Sequence, residues 1–131
     1  VVAVRGLLLD TSVLIEIERG AFDLEAVDGG EDVGVAAITV TELLLGARLA
    51  SGATAERRQR FAEHVAETCA VVQYDAVTAP HHAALLEHCR RAGTMRGAHD
   101  LIIAATARAT GRTIVTLDRT GFLDLPNVRV R

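Results

Sequence analysis

The feature that most constrains this chain is an alternation that runs along its length. Short apolar runs take turns with longer segments of helical periodicity. Residues 6–9, 33–38, 71–74 and 113–117 read as buried strands, and 128–130 can add a fifth. Between them, 13–18 reads as a helix started by Thr11 or Ser12 and stopped at Arg19-Gly20, and 22–27 as a second, short one. Residues 28–31 form a turn. A helix capped by Thr39 or Thr41 carries Glu42 in its first turn and ends near Ala50, and a polar helix covers 56–68. Asp75 looks like the cap of a helix over 77–91, in which Val77, Ala84, Leu85 and Cys89 share one face. Residues 93–97 form a loop, and 98–110, almost wholly apolar, reads as a central helix ended by Gly111. Strand–helix alternation of this kind means an α/β fold, with a mainly parallel sheet covered by helices on both faces. No repeat or linker interrupts the pattern, so the chain is expected to be a single domain over 1–131.

Composition removes several functions. All fourteen basic residues are arginine. Without lysine there is no Walker A phosphate loop, no Schiff base and no receiver-type phosphorylation site that needs a strand-end lysine. The formal charge of −3 gives no global basic bias for wrapping duplex nucleic acid. Cys69 and Cys89 are too few for a disulfide framework or a zinc site and are expected to be buried free thiols. No apolar run approaches the roughly 20 residues of a membrane helix, and the opening VVAVRG carries no signal-peptide pattern. The expected protein is soluble and cytoplasmic.

Four acids stand out by their addresses. Asp10 closes the first strand and follows Leu-Leu-Leu. Glu42 lies just after the second strand and precedes Leu-Leu-Leu. Asp100 sits at the start of the apolar helix before Leu-Ile-Ile, and Asp118 follows the strand at 113–117. Ligands of open parallel sheets bind beyond the carboxyl ends of the strands, where one edge can collect all four. Each has an ordinary alternative: Asp10 as a helix cap, Glu42 and Asp100 as favourable charges in a helix first turn, Asp118 as a turn residue. Charges beside a core are rarely unpaired, and with no lysine to pair them, a hard divalent cation held by carboxylate oxygens resolves the conflict.

The segments LLLDTSVLIEIERG, ITVTELLLGA, GAHDLIIAATARATG and IVTLDRTGF resemble, in order, the four acidic motifs of PIN domains. The likeness is strongest to the VapC ribonuclease toxins of bacterial toxin–antitoxin pairs, and it runs from about Leu7 to Phe122. The resemblance implies an endoribonuclease dependent on Mg2+ or Mn2+, neutralised by a VapB-type antitoxin, and a homodimer. It carries Asp10, Glu42, Asp100 and Asp118 over as metal-site and catalytic acids, with Ser12 and Thr116 as supporting hydroxyls. In one respect the chain departs from the family pattern: Gly121 stands before Phe122, where an acid is common.

The chemistry expected of such a site is metal-assisted hydrolysis of an RNA phosphodiester. Arg19, Arg96 and Arg119, near the motifs in sequence, are candidates for the RNA backbone, each with a solvated surface role as its alternative. His99 adjoins Asp100 and is expected to be structural; His64, His81, His82 and His88 form no ligand pattern. The polar helix at 56–68 reads as a solvated face, or through the family likeness as a dimer or antitoxin surface. A catalytically decayed interaction module is the rival reading, with Gly121 as its mark. A metal-independent ribonuclease would need His, Lys or Tyr at its centre and would leave a 2′,3′-cyclic phosphate.

Overall fold

The computed structural model describes residues 6–28 and 32–131. Four parallel strands form one sheet in the order β3-β2-β1-β4: β1 Gly6–Leu9, β2 Asp32–Ala36, β3 Ala70–Val72 and β4 Thr113–Val115. Six helices connect them: α1 Thr11–Glu18, α2 Leu24–Asp28, α3 Ala37–Leu49, α4 Gly52–Thr68, α5 Thr78–Ala92 and α6 Ala98–Thr110. The chain steps outward from β1 to β3, then returns to lay β4 on the other side of β1. The order therefore reverses between β1 and β4, and that reversal opens a crevice at their carboxyl ends.

Alternation along β1 splits the core in two. Leu8 joins Leu85 and Cys89 of α5, Leu101, Ile103 and Ala104 of α6, and Ile114. Leu9 faces the other way, with Leu14 of α1, Leu24 of α2, Val35 and Val65 of α4. Both faces of β1 are thus sealed, and each leucine buried there contributes about 1.5–3 kcal/mol. Helix α6 buries six residues from Leu101 to Ala107, as its composition predicts, and stops at Gly111, whose φ of 69° suits glycine.

At the opposite end of the sheet lies Arg112, only 9% exposed. Its Nη1 donates to the Leu7 carbonyl at 3.1 Å and its Nη2 pairs with Asp32 at 2.6 Å. A Cβ on Gly6 or Gly34 would come within 2.9 Å of Nη1, so two strand glycines make room for the guanidinium.

Several elements differ in detail from the sequence reading. β2 ends at Ala36 rather than 38, and α3 begins at once, so neither Thr39 nor Thr41 caps it. The Thr39 hydroxyl is buried without a partner among the described residues, and the Thr41 hydroxyl bonds back to the Ala37 carbonyl at 3.4 Å. Glu42 consequently lies in the second turn. α4 starts four residues earlier than the polar segment suggests, β3 is shifted to Ala70–Val72, and β4 stops at Val115. The fifth strand reduces to one parallel bridge between Ile114 and Val130. Val77 is 62% exposed and leaves the face shared by Leu85 and Cys89. Both cysteines are free and buried, and burial pushes the Cys69 thiol up. Of the turn at 28–31, residues 29–31 lie outside the described residues.

Candidate active site

Asp10 stands at the N-terminus of α1, yet its side chain makes no capping bond. Its Oδ2 instead accepts from the Thr116 hydroxyl at 2.8 Å and from the Ser12 hydroxyl at 3.0 Å. Those two hydroxyls are 3.2 Å apart, and Ser12 also accepts the Leu117 amide at 3.1 Å. Asp10 is 7% exposed and has no basic partner among the described residues. The capping alternative therefore fails: α1 starts without using this carboxylate, which is fixed into the β1–β4 crevice by groups from both strand ends.

Asp100 occupies the first turn of α6, where the helix dipole favours an anion. Its carboxyl is nonetheless held above the ordinary carboxylate range. Burial is the largest cause, followed by the charges of Asp10, Glu42 and Asp118. The other three acids named from the sequence thus all act on Asp100.

Glu42 reaches the same region from the second turn of α3. Its Oε1 accepts from the Thr11 hydroxyl at 3.0 Å, and its Oε2 lies 3.4 Å from His99 Nδ1. His99 is a residue the sequence reading set aside. It does turn away from Asp100 along α6, but it faces Glu42 across the gap between helices, and its charge partly offsets the repulsion on Asp100.

Asp118 is exposed and closes a tight turn. Its Oδ1 accepts from the Thr120 amide at 3.1 Å and the Thr120 hydroxyl at 2.5 Å, and these bonds hold its carboxyl below the usual range. Gly121 follows in the same turn. A Cβ there would stand 2.6 Å from Asp100 Oδ2, so the turn lies directly against that carboxylate.

The three arginines take different places. Arg96 donates to the Thr120 carbonyl at 2.9 Å and the Leu123 carbonyl at 2.6 Å, clamping the turn that carries Gly121. Its guanidinium is spent on backbone, a difference from the phosphate contact expected of it. Arg19 pairs with Glu16 at 3.0 Å on the surface and lines a cavity that also reaches Glu42. Arg119 is exposed in the turn after Asp118.

The donors gathered here are carboxylate and hydroxyl oxygens, the chemistry that suits Mg2+ or Mn2+ rather than softer ions. Among the described residues no three acidic, histidine or cysteine side chains are arranged to grip an ion as they stand. The donor types fit such a cation; Glu42, engaged through both oxygens, is the side chain that would have to turn.

Residues 7–127 match the PIN domain family model. The chain is 36% identical over 127 residues to ribonuclease VapC4 of Mycobacterium tuberculosis, covering 97% of this chain and 96% of that one. It is 29% identical over 126 residues to a ribonuclease VapC of Rickettsia bellii, covering 95% and 94%. Its fold superposes with a TM-score of 0.85 on a chain of the DNA-bound VapBC structure from Salmonella typhimurium, at 25% identity and with 96% of each chain covered. With the alternating elements, the parallel sheet and the acids at its carboxyl edge in agreement, this chain belongs to the PIN-domain family, among its VapC-type members.

Proposed function

We propose that this PIN domain is an endoribonuclease toxin of the VapC type, dependent on Mg2+ or Mn2+ and held inactive by a VapB-type antitoxin. One observation carries the reading. Asp10 is a buried carboxylate without a basic partner among the described residues, and it acts on an Asp100 whose ionisation is opposed first by burial and then by Asp10, Glu42 and Asp118. Such a cluster gains from a cation supplied from outside the chain.

Each side chain has a part. Ser12 and Thr116 hold Oδ2 of Asp10, which fixes the carboxylate and leaves Oδ1 to point at a ligand. Asp10, Glu42, Asp100 and Asp118 would hold the ion. A bound divalent cation supplies a water acidified toward neutral pH and offsets charge that develops on the phosphate. Thr11 and His99 position Glu42. Arg119, exposed in its turn, and Arg19, on the surface in its pair with Glu16, are placed to meet the RNA backbone, while Arg96 serves the site through the turn it clamps. An electronegative crevice also suits a cationic antitoxin segment as its plug. On this reading the protein works as a cytoplasmic homodimer.

The test is cleavage of single-stranded RNA by purified protein across a Mn2+ titration, with end-group analysis and an Asp10→Asn control. Products with 5′-phosphate and 3′-hydroxyl ends, lost on chelation and in Asp10→Asn, are expected. Cleavage that survives full chelation, or products with cyclic phosphates, would overturn the metal assignment.

A further inference from the structure

A cavity of about 180 Å3 opens beside the acidic cluster, between α1, α3 and α4. Glu42 belongs to both, so whatever enters the cavity lies next to the acids. Its walls are mixed: Ile15 and half-buried Phe61 give apolar and aromatic surface, and Glu18 and Arg58 give an acceptor and a donor. Arg58 is held there by its 3.3 Å bond to the Gly46 carbonyl, and Glu18 by its 3.1 Å bond to Arg57, which engages only one of its oxygens.

Gly46 is the informative residue. It lies inside α3, where glycine costs about 1 kcal/mol relative to alanine. Its backbone does not need glycine, because its φ is not among the positive ones. Its neighbours do not need it either, since an added Cβ would meet nothing within 4 Å. The missing side chain leaves open the space that the cavity occupies.

We infer that this cavity, kept open by Gly46, is the subsite that receives one nucleobase of the RNA strand beside the scissile phosphate. The inference rests on the ribonuclease reading above. An aromatic wall, a planar guanidinium and a free carboxylate oxygen are the groups that stack on an unpaired base and read its edge. A space of about 180 Å3 takes one planar ring but not a turn of protein helix. Glu18, an acceptor outside the acidic cluster, favours bases that present an N–H edge to it.

The test fills the cavity from Gly46, one turn beyond Glu42, and reads it beside Glu18→Gln, which alters the cavity from α1. Gly46→Leu plugs it, and Gly46→Ala, which adds one methyl, is the control; both should melt no lower than wild type because a helix glycine is removed. Short single-stranded RNA of randomised sequence is cleaved and its ends are sequenced. Wild type is expected to show a base preference at one position flanking the cut. Gly46→Leu should flatten that preference and raise KM roughly tenfold, the loss of one stacked base. Binding of the same RNA, held uncut in an Asp10→Asn background, should weaken by the same factor. Glu18→Gln should change which base is preferred, which keeps the inference testable if Gly46→Leu fails to fold. Unchanged KM and preference in Gly46→Leu overturn the subsite while leaving the nuclease standing. Intact RNA cleavage with lost antitoxin binding assigns the cavity to the antitoxin and overturns it as well. A wild type that cuts no RNA under any metal condition overturns the nuclease reading and, with it, this one.

Discussion

Thr116→Val tests whether the site is organised around a charged, buried Asp10. The change keeps the β-branched shape and removes one hydroxyl. That hydroxyl donates to Asp10 Oδ2 at 2.8 Å and accepts the Asp118 amide at 3.0 Å. Both Thr116 and Asp10 are 7% exposed, so water replaces the lost bond poorly. A hydrogen bond to a charged acceptor contributes about 1.5–3 kcal/mol. The Asp118 amide adds little, because that residue is exposed and water can reach it. The expected loss is about 2 kcal/mol, equivalent to a fall of roughly 6–10 °C in Tm for a domain of this size. In an Asp10→Asn background the same hydroxyl meets a neutral amide, where a hydrogen bond contributes only about 1 kcal/mol. Thermal melts of the four proteins in chelator should therefore give a coupling of about 1 kcal/mol between the two positions. Losses that simply add, or a Thr116→Val protein as stable as wild type, would refute the claim that this hydroxyl holds an ionised carboxylate. Thr116→Ser, which keeps the oxygen, should retain most of the coupling.

Two further outcomes follow from the packing. Asp100 is raised chiefly by burial and then by Asp10, Glu42 and Asp118, so its contribution to stability is complete below the ordinary carboxylate range and is lost as pH rises through its raised value. Asp100→Asn should thus gain stability over wild type at neutral pH in chelator and gain least near pH 4, as read by Tm across a pH series; an equal difference at both ends would count against the repulsion. Gly34→Ala should cost about 1–3 kcal/mol in urea denaturation, because its Cβ would meet Arg112 Nη1 at 2.9 Å and Val72 Cγ2 at 3.2 Å. In an Arg112→Met background most of that cost should vanish, and a cost that persists would locate the clash elsewhere.

The fold was legible where one period dominated. The run Gly6–Leu9 closed by Asp10, and the apolar stretch Ala98–Thr110 closed by Gly111, left no competing pattern, and both ends were found as expected. The start of α3 was not legible, because Ala37 and Ile38 continue an apolar run equally well as strand or as helix. Alternation over 128–130 reads as a strand, but the Leu125–Asn127 segment turns the chain, with Asn127 at φ 60°, and the pairing with β4 comes down to the backbone bonds of Arg129 and Arg131 around a single bridge at Val130. At the site, what the sequence made legible is the nearness of the acids, since Asp10, Glu42 and Asp118 all act on Asp100. Their supports were harder. His99 was weighed against Asp100, its neighbour in sequence, whereas its partner Glu42 is on another helix. Arg96 was weighed by its nearness to the motifs, whereas its guanidinium is turned to the Thr120 and Leu123 carbonyls. Arg112 carries no sequence signal at all; only the paired space at Gly6 and Gly34 exposes its role.

Gly121 shows how a departure from a motif can belong to the site rather than to its decay. The turn after β4 is fixed at three points: Thr120 is tied to Asp118, Arg96 clamps the Thr120 and Leu123 carbonyls, and Phe122 is anchored at 2% exposure in the core that also holds Leu101 of α6. A turn held so closely cannot retreat easily from α6, and the place it presents to Asp100 leaves only 2.6 Å for a Cβ. Any side chain there, an acid above all, would push against the carboxylate or add to the charge that already opposes its ionisation. Glycine removes both penalties and lets Asp118, three residues past β4, act on Asp100 instead. Asp124, the other acid of this segment, sits at φ 63° beyond the clamp and is not among the charges that raise Asp100. Of the two acids in this segment, the one that acts on Asp100 is accordingly Asp118. The glycine after it lets a rigid turn close over the crevice without adding another charge to it.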